Sequence, residues 1–226
     1  MRPFKLVFLL IFALFFCQSK NESQSLDKLY QDKLIQIGKR CYDRGLFWGT
    51  GGDISVRVPG TDRFIIKGTM SCVGDLDYGN LSTVNFDGVH LNGQIPSHET
   101  PIHCRIYQLR ENVGAILHMH APYSTAWATV GLKVPALTQQ SVTLLKASGI
   151  VPYFPVGSTE LVEAIMDCYE DLDTKIVFME NHGVFVVGKD LRDLLYNAET
   201  LENTARIAYF CKALGEPRTF SAKILY

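Results

Sequence analysis

Two histidines flank a single residue in His118-Met119-His120, at the end of an apolar run that begins at Ala115. On a strand, side chains two apart leave from the same face, so both imidazoles would be presented together to one cation. Taken alone, the pair also fits two satisfied histidines at a strand end. His182 lies in Glu180-Asn181-His182-Gly183, between two apolar strands, and so at a sheet end or tight corner. Gly183 permits a sharp turn there, and a histidine at such a corner is also a common structural or solvated residue. Glu99 stands in Pro96-Ser97-His98-Glu99-Thr100-Pro101-Ile102-His103, near a helix start, where a carboxylate favours the helix dipole. Its other use is as a fourth ligand or a base. Three histidines and one carboxylate form a nitrogen and oxygen donor set that matches zinc in a tetrahedral site. The chain has six histidines; His90, His98 and His103 are outside this set. His103, one helical turn after Glu99, is a candidate to support a ligand. Spacing by itself does not prove the constellation.

The elements that must carry these residues follow from periodicity. Leu26, Tyr30, Leu34, Ile37 and Cys41 recur at helical spacing up to Arg44, and Gly45 can end that helix. Asp53 to Val58 alternates like a half-buried strand, Pro59-Gly60 turns it, and Arg63 to Lys67 returns. Asp87-Gly88 joins two short apolar segments as a hairpin. Ser97 can cap a helix running to about Arg110, with Ile102, Ile106 and Leu109 on its apolar face. Ala115 to His120 reads as a strand, and Pro122 starts a helix ending near Val130. Gly157 or Ser158 opens another helix. Lys175 to Met179 and Val184 to Val187 are strands, and Asp190 caps a long last helix ended by Gly215. Hairpins in the first half, mixed with helices later, make an α/β layered domain whose sheet is mostly antiparallel.

Length and composition fit one such domain. The chain has 226 residues, 47% of them hydrophobic, enough for a sizeable core. The net charge is −1, and no stripe of lysine and arginine marks a nucleic-acid surface, which leaves a small molecule as the expected partner. Six cysteines without a CxxC pair argue against thiolate zinc knuckles, and most read as small core residues. Residues 1–24 read as a leader. Arg2 and Lys5 precede the apolar run from Leu6 to Phe16, then come Cys17 and a polar stretch. That order is the order of a secretory signal, and the run is shorter than the roughly 20 residues a membrane span needs. Cys17 directly after the run resembles a bacterial lipoprotein signal, although Phe16 departs from the small residue usual before the lipidated cysteine. The expectation is an exported or membrane-tethered protein, with a cytoplasmic one as the alternative.

The motifs Gly49-Thr50-Gly51-Gly52-Asp53-Ile54-Ser55-Val56-Arg57, Pro96-Ser97-His98-Glu99, His118-Met119-His120-Ala121 and Glu180-Asn181-His182-Gly183 resemble, in order and spacing, the class II aldolase and adducin head-domain family, above all its fuculose-phosphate aldolase branch. The resemblance covers residues 25–226 and leaves the leader without a counterpart. It implies a three-layer α/β/α sandwich around a mostly antiparallel sheet, usually assembled as a homotetramer. It implies Zn2+ on Glu99, His118, His120 and His182, with Glu99 also catalytic as a proton shuttle. The implied reaction is retro-aldol cleavage of a sugar, sugar phosphate or related hydroxy-carbonyl compound through a metal-stabilised enediolate. The family also includes an epimerase, a dehydratase and decarboxylases, and its adducin branch uses the fold as an interaction module. Gly51, Lys67, Thr69, Ser97 and His98 occupy the region that holds substrate phosphate in such enzymes. Four positions depart from the pattern. Asp53 replaces an asparagine, with Lys67 placed to offset its charge. His98 replaces a serine, Met70 a glycine, and Gln139 a tyrosine that acts from a neighbouring subunit.

Overall fold

The computed structural model describes residues 4–218, with side chains from Gln24 onward. Its centre is an eight-stranded sheet of β1 (Asp53–Arg57), β2 (Arg63–Lys67), β3 (Leu81–Asn85), β4 (His90–Gly93), β5 (Ala115–Met119), β6 (Ser148–Val151), β7 (Ile176–Met179) and β8 (Gly183–Gly188). The order across the sheet is β4-β3-β2-β1-β5-β8-β7-β6. Every pairing is antiparallel except β6 with β7. Six α-helices cover the faces: α1 (Phe4–Asp43), α2 (Thr100–Leu109), α3 (Pro122–Thr129), α4 (Gln139–Leu145), α5 (Thr159–Tyr169) and α6 (Leu191–Leu214).

Alternation along the strands sorts the core into two layers. On β8, Val184 and Val186 pack with Leu34 of α1, Ala128 of α3, Leu144 of α4 and Leu201 of α6. Phe185 and Val187 point the other way, onto Ile102 and Ile106 of α2 and Leu161 and Ile165 of α5. This is the α/β/α sandwich. The central strands read as continuous buried runs because both of their faces are covered.

Several boundaries differ from expectation. The helix expected from Leu26 begins at Phe4, because no proline or glycine interrupts residues 4–37. The apolar run and Cys17 fall among residues whose side chains lie outside those described. The helix expected from Ser97 has Glu99 as its N-cap, with Pro101 in its first turn, where a missing N–H costs nothing. Neither α4 nor β6 stands out from periodicity, since both are short and their glycine and small residues blur the pattern. Of the five described cysteines, all free, Cys41 and Cys104 are buried and Cys72, Cys168 and Cys211 are half-buried, so the core role holds for two of them.

Candidate metal centre

The site lies at one end of the three central strands. His118 is on β5, opposite Asp53 of β1 and Phe185 of β8. His120 follows two residues later, just past the strand end, on the same face. His182 arrives from the turn between β7 and β8. Met179 pairs with Gly183, so three residues make that turn, and the His182 amide donates back to the Met179 carbonyl at 3.2 Å. Asn181 sits in the left-handed region at φ 54°, a conformation asparagine tolerates better than most residues. Gly183 is required for space. A Cβ there would stand 2.5 Å from His120 Cδ2 and 2.6 Å from the Met119 carbonyl oxygen.

Glu99 comes from the opposite side. It occupies the N-cap of α2, yet its carboxylate makes no capping hydrogen bond. It turns instead to the histidines, with Oε2 3.0 Å from His118 Nε2 and Oε1 3.7 Å from His182 Nε2. The dipole reading of Glu99 is therefore secondary. The Nε2 atoms of His118 and His120 approach to 2.8 Å, and one ligating nitrogen from each of His118, His120 and His182 lies within 4.8 Å of the others. His118 is fully buried and stacks on Phe185, which fixes its ring. Its Nδ1 faces the Val184 carbonyl at 3.4 Å, which favours the proton on Nδ1 and a lone pair on Nε2.

The electrostatics fit a cation. Burial disfavours charge on His118, but Glu99 and its hydrogen bond outweigh that and hold the pKa above the ordinary 6.5. Burial, then the neighbouring His118 and His182, push His120 down to about 4. His182 is lowered by burial and then by His118. Burial opposes ionisation of Glu99 as well, yet His118 keeps its carboxyl below the usual range. The carboxylate thus draws a proton to His118, while burial and that ring oppose one on His120 and His182. Glu99 Oε1 is buried with no hydrogen-bond partner, an expensive condition for a carboxylate oxygen. A divalent metal ion would replace the proton and satisfy that oxygen, so the donor set fits one.

The other expected residues divide. Gly51 lies against the cluster, where a Cβ would come 3.0 Å from His120 Nδ1. Thr69 Oγ1 and His98 Nδ1 pair at 3.1 Å on an exposed rim. Lys67 is buried, and its Nζ donates to the Thr50 and Gly52 carbonyls, both at 2.7 Å. It braces the glycine-rich loop, and burial lowers its pKa while the charge of Asp53 acts the other way, in line with the expected offset. Ser97 donates to Asp53 Oδ2 at 2.5 Å and accepts the Glu99 amide at 3.3 Å, so its proton is already committed. Asp53 is buried, and both of its carboxylate oxygens are engaged within the protein. His103 turns from the Glu99 side chain and meets Asp53 Oδ1 at 2.7 Å through Nε2. Met70 stands at φ 58°, where the glycine of the family pattern would be unstrained.

What sequence reading overlooked is a buried polar chain beside the ligands. His103 Nδ1 contacts Ser55 Oγ at 2.7 Å, and Ser55 Oγ contacts Tyr107 Oη at 2.8 Å. A signal for it exists: Asp53 and Ser55 share one face of a strand at i and i+2, and His103 and Tyr107 one face of a helix at i and i+4.

Comparison with known proteins gives the family and the fold. Residues 32–209 match the family described as Class II Aldolase and Adducin N-terminal domain. An L-fuculose phosphate aldolase of Methanococcus maripaludis is 34% identical over 182 residues, which cover 80% of this chain and 97% of that protein. A 3-oxo-tetronate 4-phosphate decarboxylase of Haemophilus influenzae is 31% identical over 188 residues, covering 81% and 88%. Among solved structures, YgbL from Klebsiella pneumoniae superposes with a TM-score of 0.81 at 28% identity, over 88% of this chain and 96% of the other.

Proposed function

The chain belongs to the class II aldolase and adducin family, and on that premise we propose that it is a zinc-dependent aldehyde-lyase that cleaves a sugar phosphate or related hydroxy-carbonyl compound in the retro-aldol sense. The observation that carries this reading is the convergence of His118, His120 and His182 with the buried, unpartnered Oε1 of Glu99. The all nitrogen and oxygen donor set suits zinc. When bound, the metal supplies Lewis-acid stabilisation of negative charge building on the substrate carbonyl oxygen.

The chain's own residues do the rest. His118 is held by Phe185 and Val184, and His120 by the closely fitted Gly51 and Gly183, so the donors are preorganised. Glu99, which would stand among the ligands when the site is loaded, is the group that loosens to take up and return a proton at the reacting carbons. The rim of Thr69 and His98, with the backbone near Gly51, is the surface left to hold a phosphate handle. Ser97 lends it nothing, since its hydroxyl proton serves Asp53.

The test is proton exchange. Metal-loaded protein beginning near Ser25 is incubated with dihydroxyacetone phosphate in heavy water, and loss of the α-proton is followed by NMR with and without chelator. Chelator-sensitive exchange, abolished in His118→Ala with the fold retained, is the expected result. Full activity in His118→Ala overturns the site. A second reading is decarboxylation of a phosphorylated 3-oxo acid, favoured by the Haemophilus relative; metal-dependent release of carbon dioxide without exchange would select it. Retention of all four donors speaks against a purely adducin-like interaction module. The charged start, the apolar run and Cys17 support an exported, membrane-tethered form. Fractionation tests it, and a wholly soluble cytoplasmic pool refutes it. The family resemblance supports a homotetramer, which light scattering checks.

A further inference from the structure

We infer that Asp53 is a positioning residue for the metal centre: by accepting two hydrogen bonds at once, it ties strand β1 to the turn that carries Glu99 and holds His103 in one tautomer. This rests on the metal-site reading above.

Asp53 is 1% exposed and lies directly across the sheet from His118. Two donors converge on its carboxylate, Ser97 Oγ–H on Oδ2 at 2.5 Å and His103 Nε2–H on Oδ1 at 2.7 Å. Ser97 then accepts the Glu99 amide at 3.3 Å, and its own carbonyl accepts the Thr100 hydroxyl at 2.6 Å and the Thr100 amide at 3.1 Å. The turn into α2 is therefore fastened to β1 through one hydroxyl. Glu99 has no side-chain capping bond to place it, so this fastening, the Ser97 amide's bond to the Lys67 carbonyl at 3.2 Å and His118 together set where its carboxylate stands.

The proton positions along the buried chain follow. An ionised carboxylate only accepts, so His103 Nε2 is the donor. Tyr107 is fully buried, and among the described residues its hydroxyl meets only Ser55. Tyr107 therefore donates to Ser55, and Ser55 donates to His103 Nδ1. Every proton in the chain Tyr107, Ser55, His103, Asp53 has an acceptor.

Asparagine in place of Asp53 breaks this order. Its oxygen can accept from Ser97, but its NH2 then faces His103 Nε2. The contact survives only if His103 moves its proton to Nδ1, which turns Nδ1 toward Ser55 as a donor. One buried hydroxyl proton, on Ser55 or Tyr107, then has no acceptor; with the amide turned over, its oxygen serves His103 and the Ser97 hydroxyl loses its acceptor instead. A carboxylate serves both donors because each of its oxygens accepts, whereas an amide offers one acceptor only.

The test compares wild type, Asp53→Asn, Ser97→Ala and His118→Ala. Zinc affinity is measured by competition with a chromogenic chelator. The tautomer of His103 in metal-free protein is read from two-bond nitrogen–proton couplings. Wild type is expected to show Nε2–H at His103, and Nδ1–H there would overturn the inference. Both Asp53→Asn and Ser97→Ala are expected to bind zinc about 10–100-fold more weakly, as loss of a partner behind a ligand does. Ser97→Ala is expected to keep the Nε2–H tautomer, because Asp53 still accepts from His103. If Asp53→Asn does not fold, Ser97→Ala alone decides. Wild-type zinc affinity in both variants, with affinity lost in His118→Ala, overturns the inference and leaves the metal centre standing. Unchanged affinity in His118→Ala overturns the metal centre, and the inference with it.

Discussion

Replacing Gly183 by alanine tests whether the histidine cluster is set by packing. The φ of Gly183 is not in the left-handed region, so alanine can adopt this backbone and the cost is one of space. The new Cβ would stand 2.5 Å from His120 Cδ2, 2.6 Å from the Met119 carbonyl oxygen and 3.1 Å from His118 Cε1, whereas ordinary contact begins at 3.4 Å. The His120 ring must therefore retreat by about 0.9 Å. The Met119 oxygen belongs to a strand paired on both sides and yields little. Overpacking of this kind costs about 1–3 kcal/mol. At about 2–4 °C per kcal/mol for a domain of this size, the melting temperature falls by roughly 2–12 °C. Metal–ligand distances tolerate only about 0.2 Å, and a displacement near 1 Å costs about 100-fold in activity. Metal affinity and turnover are thus expected to drop together. Gly157→Ala is the control: at φ +80°, with no atom within 4 Å, it carries backbone strain alone. It should cost about 1–2 kcal/mol and leave metal affinity intact. Calorimetry and chelator competition on both variants suffice. Gly183→Ala with wild-type metal affinity would refute the packing argument.

Three further outcomes are expected. Arg110 is buried and gives its guanidinium to the carbonyls of Tyr169, Asp171, Leu172 and Thr174, stapling α2 to the segment before β7. Arg110→Ala strands those acceptors and should destabilise by about 3 kcal/mol or more, read by urea unfolding, since each buried orphan costs about 1–3 kcal/mol. Met70→Gly relieves the left-handed backbone at φ 58° and should stabilise slightly, by up to about 1 kcal/mol. Metal-free protein should lose stability as pH falls from about 6.5 to about 4, because His120 is held at about 4 when folded but takes up its proton near 6.5 when unfolded. His182, also lowered, acts with the same sign. His118, raised, stabilises fully below 6.5 and loses that contribution only as pH rises through its folded value. Thermal melts of chelator-treated protein across this range check the sign, and a melting temperature that rises on acidification would contradict it.

The sequence by itself determined the donor atoms and most of the elements. Period-two spacing put His118 and His120 on one face, and Asn181 with Gly183 announced a tight corner at His182, because such local rules need only neighbouring residues. The caps Ser158 and Asp190 were readable for the same reason, each accepting amides of its own helix. What only the tertiary structure decided is which groups meet across elements. Glu99, 19 residues before His118, could as well have capped its helix; the sandwich aims it at the histidines. Lys67 braces loop carbonyls and Ser97 serves Asp53, although both sit where a phosphate site was expected. Burial sets these partners, since a buried donor or acceptor must find a mate wherever the packed layers place one. The short α4 and β6 were lost to periodicity because segments of this length hold too few residues to show a period. Hydrogen bonds between residues some 50 positions apart, as from Asp53 to His103, follow from how strands and helices stack, and no local rule encodes them.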